Sequence, residues 1–183
     1  MRKLIFAIHT TIDGCVDHTK QLVDTEKLEY FTQLTRQAGL QIFGRKTYQL
    51  MVPYWPNAAK DPSSSKTEID FAQAFDGLNK VIVTRTLKGT EDKNARIVGT
   101  GLRDEVLKLK QEPGNYIIVG GVDVASQLIE LGLVDEYLFV VSPILAGKGR
   151  RLMEGVNLQE KLQLTLVDAK VFQSGSVALR YRK

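Results

Sequence analysis

The stretch Tyr116–Gly149, YIIVGGVDVASQLIELGLVDEYLFVVSPILAGKG, constrains this chain more than any other. Ile117-Ile118-Val119 is a short β-branched run, of the kind found in a strand covered on both faces. Gly120-Gly121 ends it. Without a Cβ, paired glycines let the backbone turn sharply, let a ligand approach closely, and present amide N–H groups to an anion at the start of the next helix. Val124, Leu128, Ile129 and Leu131 then recur near the helical period, and Gly132 stands where a C-terminal glycine stops a helix. Leu133–Glu136 is a hinge into a second apolar run, Leu138–Val141, which Pro143 closes because proline brings no amide to a central ladder. A mobile Gly147-Lys148-Gly149 loop follows. Strand, glycine turn, helix and strand in succession commit the chain to an α/β domain. The glycine turn either only redirects the backbone or holds a ligand phosphate.

Gly120, Gly121, the helix end Leu131-Gly132-Leu133-Val134-Asp135-Glu136, and Pro143-Ile144-Leu145 with Gly147 and Gly149 resemble the last shared segment of the dihydrofolate-reductase-like superfamily. Within it they look most like the reductase half of the bifunctional riboflavin-biosynthesis deaminase/reductase. The resemblance covers nearly all of the chain and is patchier between Pro53 and Phe75 and after Met153. It implies a three-layer α/β/α dihydrofolate-reductase-like fold with a mixed, mostly parallel sheet and a C-terminal antiparallel hairpin. It also implies NADPH as cofactor, and hydride transfer to a small flat heterocycle, a riboflavin-pathway pyrimidine or a pterin. A non-catalytic nucleotide-binding or ligand-sensing module on the same scaffold is the alternative.

With 183 residues and 43% hydrophobic content, the chain suits a single domain over 1–183. Its net charge of +4 comes from scattered Lys and Arg, which favours an anionic cofactor and does not point to nucleic acid. One cysteine, Cys15, allows neither an internal disulfide nor a cysteine-rich metal site and fits the cytoplasm. The N-terminal apolar run, Leu4–Ile8, is too short for a membrane span or a signal-peptide core. With only His9 and His18 present, no Ser-His-Asp set or metal cluster is expected, and His9 either points into the site or is a satisfied strand-end histidine.

Candidate site residues come from four places. Lys3–His9 reads as a central strand ending at Thr10-Thr11-Ile12-Asp13-Gly14, where Asp13-Gly14 signals a tight turn. The resemblance puts this loop between nicotinamide and substrate, with Ala7 on the cofactor side, Thr10 and Asp13 on the substrate side, and Asp13 in the chemistry. Asp24-Thr25 caps a helix running to about Ala38, with Leu28, Phe31, Leu34 and Thr35 as its buried stripe. In dihydrofolate reductases this helix carries the pterin-holding carboxylate before an aromatic pair like Tyr30-Phe31. Here the nearest matches are Lys27 and Glu26, a departure that argues against folate. Glu26 is either a site carboxylate or a first-turn acid favoured by the helix dipole, and Tyr30 is a substrate candidate.

Leu40–Phe43, a short strand, feeds Gly44-Arg45-Lys46-Thr47 at a helix start, where amides, two cations and a hydroxyl suit a phosphate. This resembles the segment by which the superfamily holds NADPH phosphates. Lys80–Thr84 is a further strand with Thr84-Arg85 at its C-terminal end, where Arg85, with Arg45 as its competitor, is suited to a 2′-phosphate. Gly120, Gly121, Val122, Asp123 and Val124 complete the cofactor set. Tyr54-Trp55-Pro56 and Asn57–Ser65 read as a loop, in which Trp55 either lies against a flat ring or covers the core edge. Leu162–Phe172 and Val177–Tyr181 alternate as two antiparallel strands. Their apolar faces, with Val140, Val141, Ile144 and Leu145, exceed what the helices can cover, which predicts a homodimer. In the competing account the hairpin only caps a monomer's sheet.

Overall fold

The computed structural model describes residues 1–22 and 24–183. Eight strands form one sheet: β1 Leu4–Thr11, β2 Leu40–Gly44, β3 Lys80–Val83, β4 Ala95–Val98, β5 Ile117–Gly120, β6 Glu136–Ser142, β7 Thr165–Val171 and β8 Val177–Arg182. Their order is β4-β3-β2-β5-β1-β6-β8-β7. The first six run parallel, and β8 and β7 add antiparallel at one edge. Five α-helices connect them: α1 Thr25–Gln37, α2 Arg45–Ala58, α3 Lys66–Gly77, α4 Leu102–Gln111 and α5 Val122–Glu130.

Strand alternation builds the three layers. Leu4 and Phe6, Leu40 and Ile42, and Ile117 and Val119 face a core closed by Val106 and Leu109 of α4 and by Val124, Ala125, Leu128 and Ile129 of α5. The intervening Ile5, Ala7, Ile118, Leu138 and Val140 face Tyr30, Phe31 and Leu34 of α1. Phe43 and Ile82 meet Tyr48 of α2 and Phe71 and Phe75 of α3. The central strands therefore have apolar residues at successive positions, since both faces are covered.

Two boundaries and the character of one loop differ from the sequence reading. The stretch around Tyr54-Trp55-Pro56 is not a loop but the last turns of α2, with Pro53 and Pro56 inside the helix. Each proline removes one amide from the ladder, here the i+4 donors of the Gln49 and Val52 carbonyls, and the Asn57 side chain adds a donor to the Pro53 carbonyl (2.7 Å) in the last turn. The predicted Leu162–Phe172 strand is shorter. Leu162 and Leu164 lie outside β7 and pack on the α4–α5 core instead. The Gly147-Lys148-Gly149 loop is pinned rather than mobile. Asp13 accepts from the Ala146 and Gly147 amides (3.1 and 2.8 Å), and Arg151 donates to the Gly147 carbonyl (2.8 Å).

Candidate functional site

Parallel strands bring their C-terminal ends to one side of the sheet, where ligands of open α/β folds sit. A cleft of about 520 Å³ opens there, across the ends of β2, β3 and β4 and the starts of three helices. Helix capping sorts with position. Away from the cleft, α1 is capped by the Asp24 side chain, and α3 by Ser65 in a reciprocal capping box with Glu68. The three helices that start in the cleft, α2, α4 and α5, have Gly44, Gly101 and Gly121 at the cap and no side-chain cap bond. Their first-turn N–H groups thus converge on one space with the partial positive charge of three helix dipoles.

The cleft collects most of the predicted cofactor residues: Gly44, Arg45, Lys46, Thr47, Thr84, Arg85, Gly121, Val122, Asp123 and Val124 all line it. Gly44 packs closely on α5, since a Cβ there would stand 3.3 Å from Val124 Cγ2 and the valine would have to give by a few tenths of an ångström. Gly121 has φ +79, and a Cβ on it would stand 2.5 Å from Thr47 Oγ1. Thr84 turns the chain after β3, its hydroxyl accepting from the Thr86 and Leu87 amides (both 3.2 Å). Two predicted members do not line the cleft. Gly120 is buried as the last residue of β5, and Ala7 is buried in the α1-side core.

Sequence reasoning missed two contributors. Gly99-Thr100-Gly101 closes the far end of the cleft; its glycines between a strand and a helix are a signal of the same kind as Gly120-Gly121. Arg150 also lines the cleft and carried no local signal. Its guanidinium forks onto Asp123, Nη2 to Oδ1 at 2.5 Å and Nη1 to Oδ2 at 3.2 Å. The contact lowers the Asp123 carboxyl and raises the Arg150 guanidinium from their ordinary pKa values. Across this pair lies a second, open polar groove of about 720 Å³ whose lining includes Lys46, Gln127, Glu130 and Glu154.

The substrate-side expectations divide. Thr10 is buried, its hydroxyl donating to the Cys15 carbonyl (3.3 Å). The Asp13 carboxylate accepts from Thr11 Oγ1 (2.5 Å) as well as from the two loop amides, and pairs with Arg151 (3.0 Å). Those contacts hold its carboxyl well below the usual carboxylate range. Glu26 is a correction. Its carboxylate accepts from the Gln173 amide (2.8 Å) and faces Lys170 (3.8 Å), docking α1 onto the hairpin turn rather than facing a ligand. Trp55 covers the core edge, its ring 4.4 Å from Phe71 between α2 and α3. Tyr30 packs edge-on against Phe172 (5.5 Å).

His9 is the other correction, since it is not a satisfied strand-end histidine. Its ring stacks on Phe31 (4.2 Å), and Nδ1 is buried with no hydrogen-bond partner among the described residues. Burial first, then the neighbouring Lys27, pushes its pKa down to about 4. Lys27 itself is 1% exposed, with Nζ 3.3 Å from Ser142 Oγ and in contact with the Leu22 carbonyl. A neutral imidazole and a buried ammonium therefore stand at the end of β1 and the start of α1, where the sequence suggested a carboxylate.

Comparison with known proteins places this geometry in context. The family model of the RibD C-terminal domain matches residues 2–178. An uncharacterized protein of Bacillus subtilis (strain 168), YyaP, is 29% identical over 98% of this chain and 94% of its own length. The crystal structure of a putative riboflavin biosynthesis protein from Shewanella sp. PV-4 superposes with a TM-score of 0.72 at 18% identity, covering 100% of this chain and 98% of that one. A diaminohydroxyphosphoribosylaminopyrimidine deaminase/5-amino-6-(5-phosphoribosylamino)uracil reductase from Thermotoga maritima superposes with a TM-score of 0.70 at 16% identity. There, 99% of this chain covers 56% of that larger one.

Proposed function

The chain belongs to the family of RibD C-terminal domains, and from that premise we propose that it is an NADPH-dependent reductase of a small, flat, pyrimidine-type heterocycle. The observation that carries this reading is the convergence of three helix N-termini without side-chain caps on one cleft that also holds Arg45, Lys46 and Arg85. Orphan amides and cations in that density fit a ligand with several phosphates. Arg45, Lys46 and Thr47 and the turn Gly121–Val124 would hold the pyrophosphate, and Thr84-Arg85 the adenosine end with its 2′-phosphate. When bound, NADPH supplies the hydride. The chain's own contribution is to hold two flat rings face to face, which is worth roughly 7–11 kcal/mol of barrier. Water would serve as proton donor, since Asp123, the one carboxylate among the described residues that line the cleft, is paired with Arg150.

On the substrate side, a pyrimidine smaller than folate is the expectation, because α1 has Lys27 and Glu26 where dihydrofolate reductases carry the pterin-holding carboxylate. The uracil reductase activity in the Thermotoga protein's name points the same way. The working compartment in this reading is the cytoplasm, and among the described residues no helix is long and apolar enough to cross a membrane.

The test is a titration of NADPH and NADH by fluorescence quenching, followed by turnover with uracil-type and pterin substrates. NADPH is expected to bind more tightly, and Arg85→Ala to weaken NADPH more than NADH by about 1.5–3 kcal/mol, the range for a charge-assisted hydrogen bond. Equal affinity for the two cofactors would remove the argument from the basic residues. Tight binding without turnover of any substrate would favour a ligand-sensing module.

The same reading includes a homodimer built on the hairpin edge. Every residue of β7 is exposed, and Leu166 (53%), Val167 (50%) and Val171 (71%) present apolar side chains on an edge strand that pairs only with β8 among the described residues. Such an edge invites pairing with a second copy. Light scattering is expected to give twice 20.5 kDa, and Val167→Glu to return the protein to the monomer mass.

A further inference from the structure

Arg150 and Asp123 raise a question that the cofactor reading leaves open. A carboxylate in the first turn of α5 suits the helix dipole, yet it stands in a cleft whose other features attract anions. An anion entering that cleft meets Asp123 as a like charge unless Arg150 screens it. The fork supplies that screening, with both guanidinium nitrogens engaged. Its geometry also makes it releasable. The two side chains are 39% and 58% exposed, and an exposed pair of this kind holds by a factor of about five at most. The base of Arg150 is fixed, by contrast. Its carbonyl accepts from the Val16 amide (2.9 Å), and the next residue, Arg151, is anchored on Asp13 and on the Gly147 carbonyl. The guanidinium can swing while the backbone that carries it stays in place.

We propose that Arg150 is a phosphate-binding residue held in reserve by Asp123, exchanging the carboxylate for a ligand phosphate when a nucleotide enters the cleft. This rests on the reading of the cleft as a cofactor site. A guanidinium takes up phosphate in the same two-pronged geometry in which it holds a carboxylate, so the exchange needs a rotation of one side chain and no backbone movement. Lys46, which lines both the cleft and the groove beyond the pair, also lowers the Asp123 carboxyl, after the larger effect of Arg150. Asp123 thus opposes binding and Arg150 favours it, although the two are partners in the free protein.

Isothermal titration of inorganic pyrophosphate and of NADPH into the wild type, Asp123→Asn and Arg150→Gln tests this. Asp123→Asn is expected to tighten pyrophosphate about fivefold by releasing Arg150, and Arg150→Gln to weaken it about tenfold. Adding Asp123→Asn to Arg150→Gln is expected to recover part of that loss by removing the unscreened carboxylate. Unchanged or weaker pyrophosphate binding by Asp123→Asn overturns the proposal. If that variant loses NADPH but not pyrophosphate, Asp123 holds a ribose and not Arg150, which also overturns it. Wild-type binding of NADPH with no effect of any variant removes the exchange and leaves the cofactor reading standing. Failure of the wild type to bind either ligand removes both.

Discussion

Gly121→Ala is expected to weaken nucleotide binding about 100-fold, whereas Gly120→Ala, one residue earlier, is expected to be nearly silent. The two glycines look alike in the sequence and differ in what the backbone asks of them. Gly121 has φ +79 and ψ 149, a region open essentially only to glycine, where another residue costs about 1–3 kcal/mol. For a chain of this size that corresponds to a fall in Tm of roughly 3–10 °C. The new Cβ would also stand 2.5 Å from Thr47 Oγ1, so Thr47 must turn away from the cleft or the start of α5 must shift. Either way a hydroxyl or several first-turn amides leave the phosphate position. Losing one or two hydrogen bonds to a charged ligand weakens binding by about 100-fold. Gly120 has no positive φ, and a Cβ there would meet only Gln41 Nε2 at an ordinary 3.5 Å. NADPH titrations and thermal melts on the two variants decide the matter. Equal losses from both would mean that the turn acts as a whole and that the special backbone of Gly121 is not the determinant.

That contrast also marks how far the site was legible in the sequence. A β-branched run, paired glycines and an apolar period near 3.6 are local signals, and they located β5, the turn and α5 because each is decided by neighbouring residues. Gly44–Thr47 was legible for the same reason. Arg150 was not, because its role depends on β6 and the following loop bringing it opposite the start of α5, a contact between residues 27 apart. The direction of Glu26 was equally hidden. A first-turn acid can face a ligand or a neighbouring element, and here it faces the hairpin turn, which folds back from far along the chain. Trp55 reads as part of a loop from its Pro-, Ser- and Ala-rich surroundings, yet α2 continues past both prolines to Ala58 and Trp55 packs on Phe71 of α3. His9 failed differently. Most buried polar atoms find partners, whereas His9 Nδ1 has none among the described residues.

Asp13→Asn is expected to loosen the loop that carries Arg150, and its signature separates that role from the catalytic one suggested by the Thr-Ile-Asp-Gly turn. In the fold the Asp13 carboxylate ties the end of β1 to the loop after β6, accepting from Thr11, Ala146 and Gly147 and pairing with Arg151. An asparagine amide matches only part of that donor set, because its NH₂ group would face other donors. Amide exchange at Ala146 and Gly147 is therefore expected to rise about tenfold, with the rest of the sheet unaffected. KM for NADPH is expected to rise with it, since Arg150 follows directly on the loosened segment. A catalytic Asp13 predicts the reverse, a fall in kcat with loop exchange and cofactor affinity unchanged. The pH dependence gives a second check. The Thr11 hydroxyl, followed by the Ala146 amide and Arg151, depresses the folded pKa of Asp13. Its stabilising contribution is therefore complete above the unfolded value of about 3.9 and is lost as pH falls below it toward the folded value. His9, with its pKa lowered to about 4, makes the wild type and the Asn variant alike lose stability as pH falls from about 6.5 toward 4. That loss cancels in the difference between them. The gap in urea midpoint between the two proteins should accordingly stay constant from pH 8 to pH 5 and close only below about pH 4. A gap that closes already near pH 6 would assign the latch to a different titrating group.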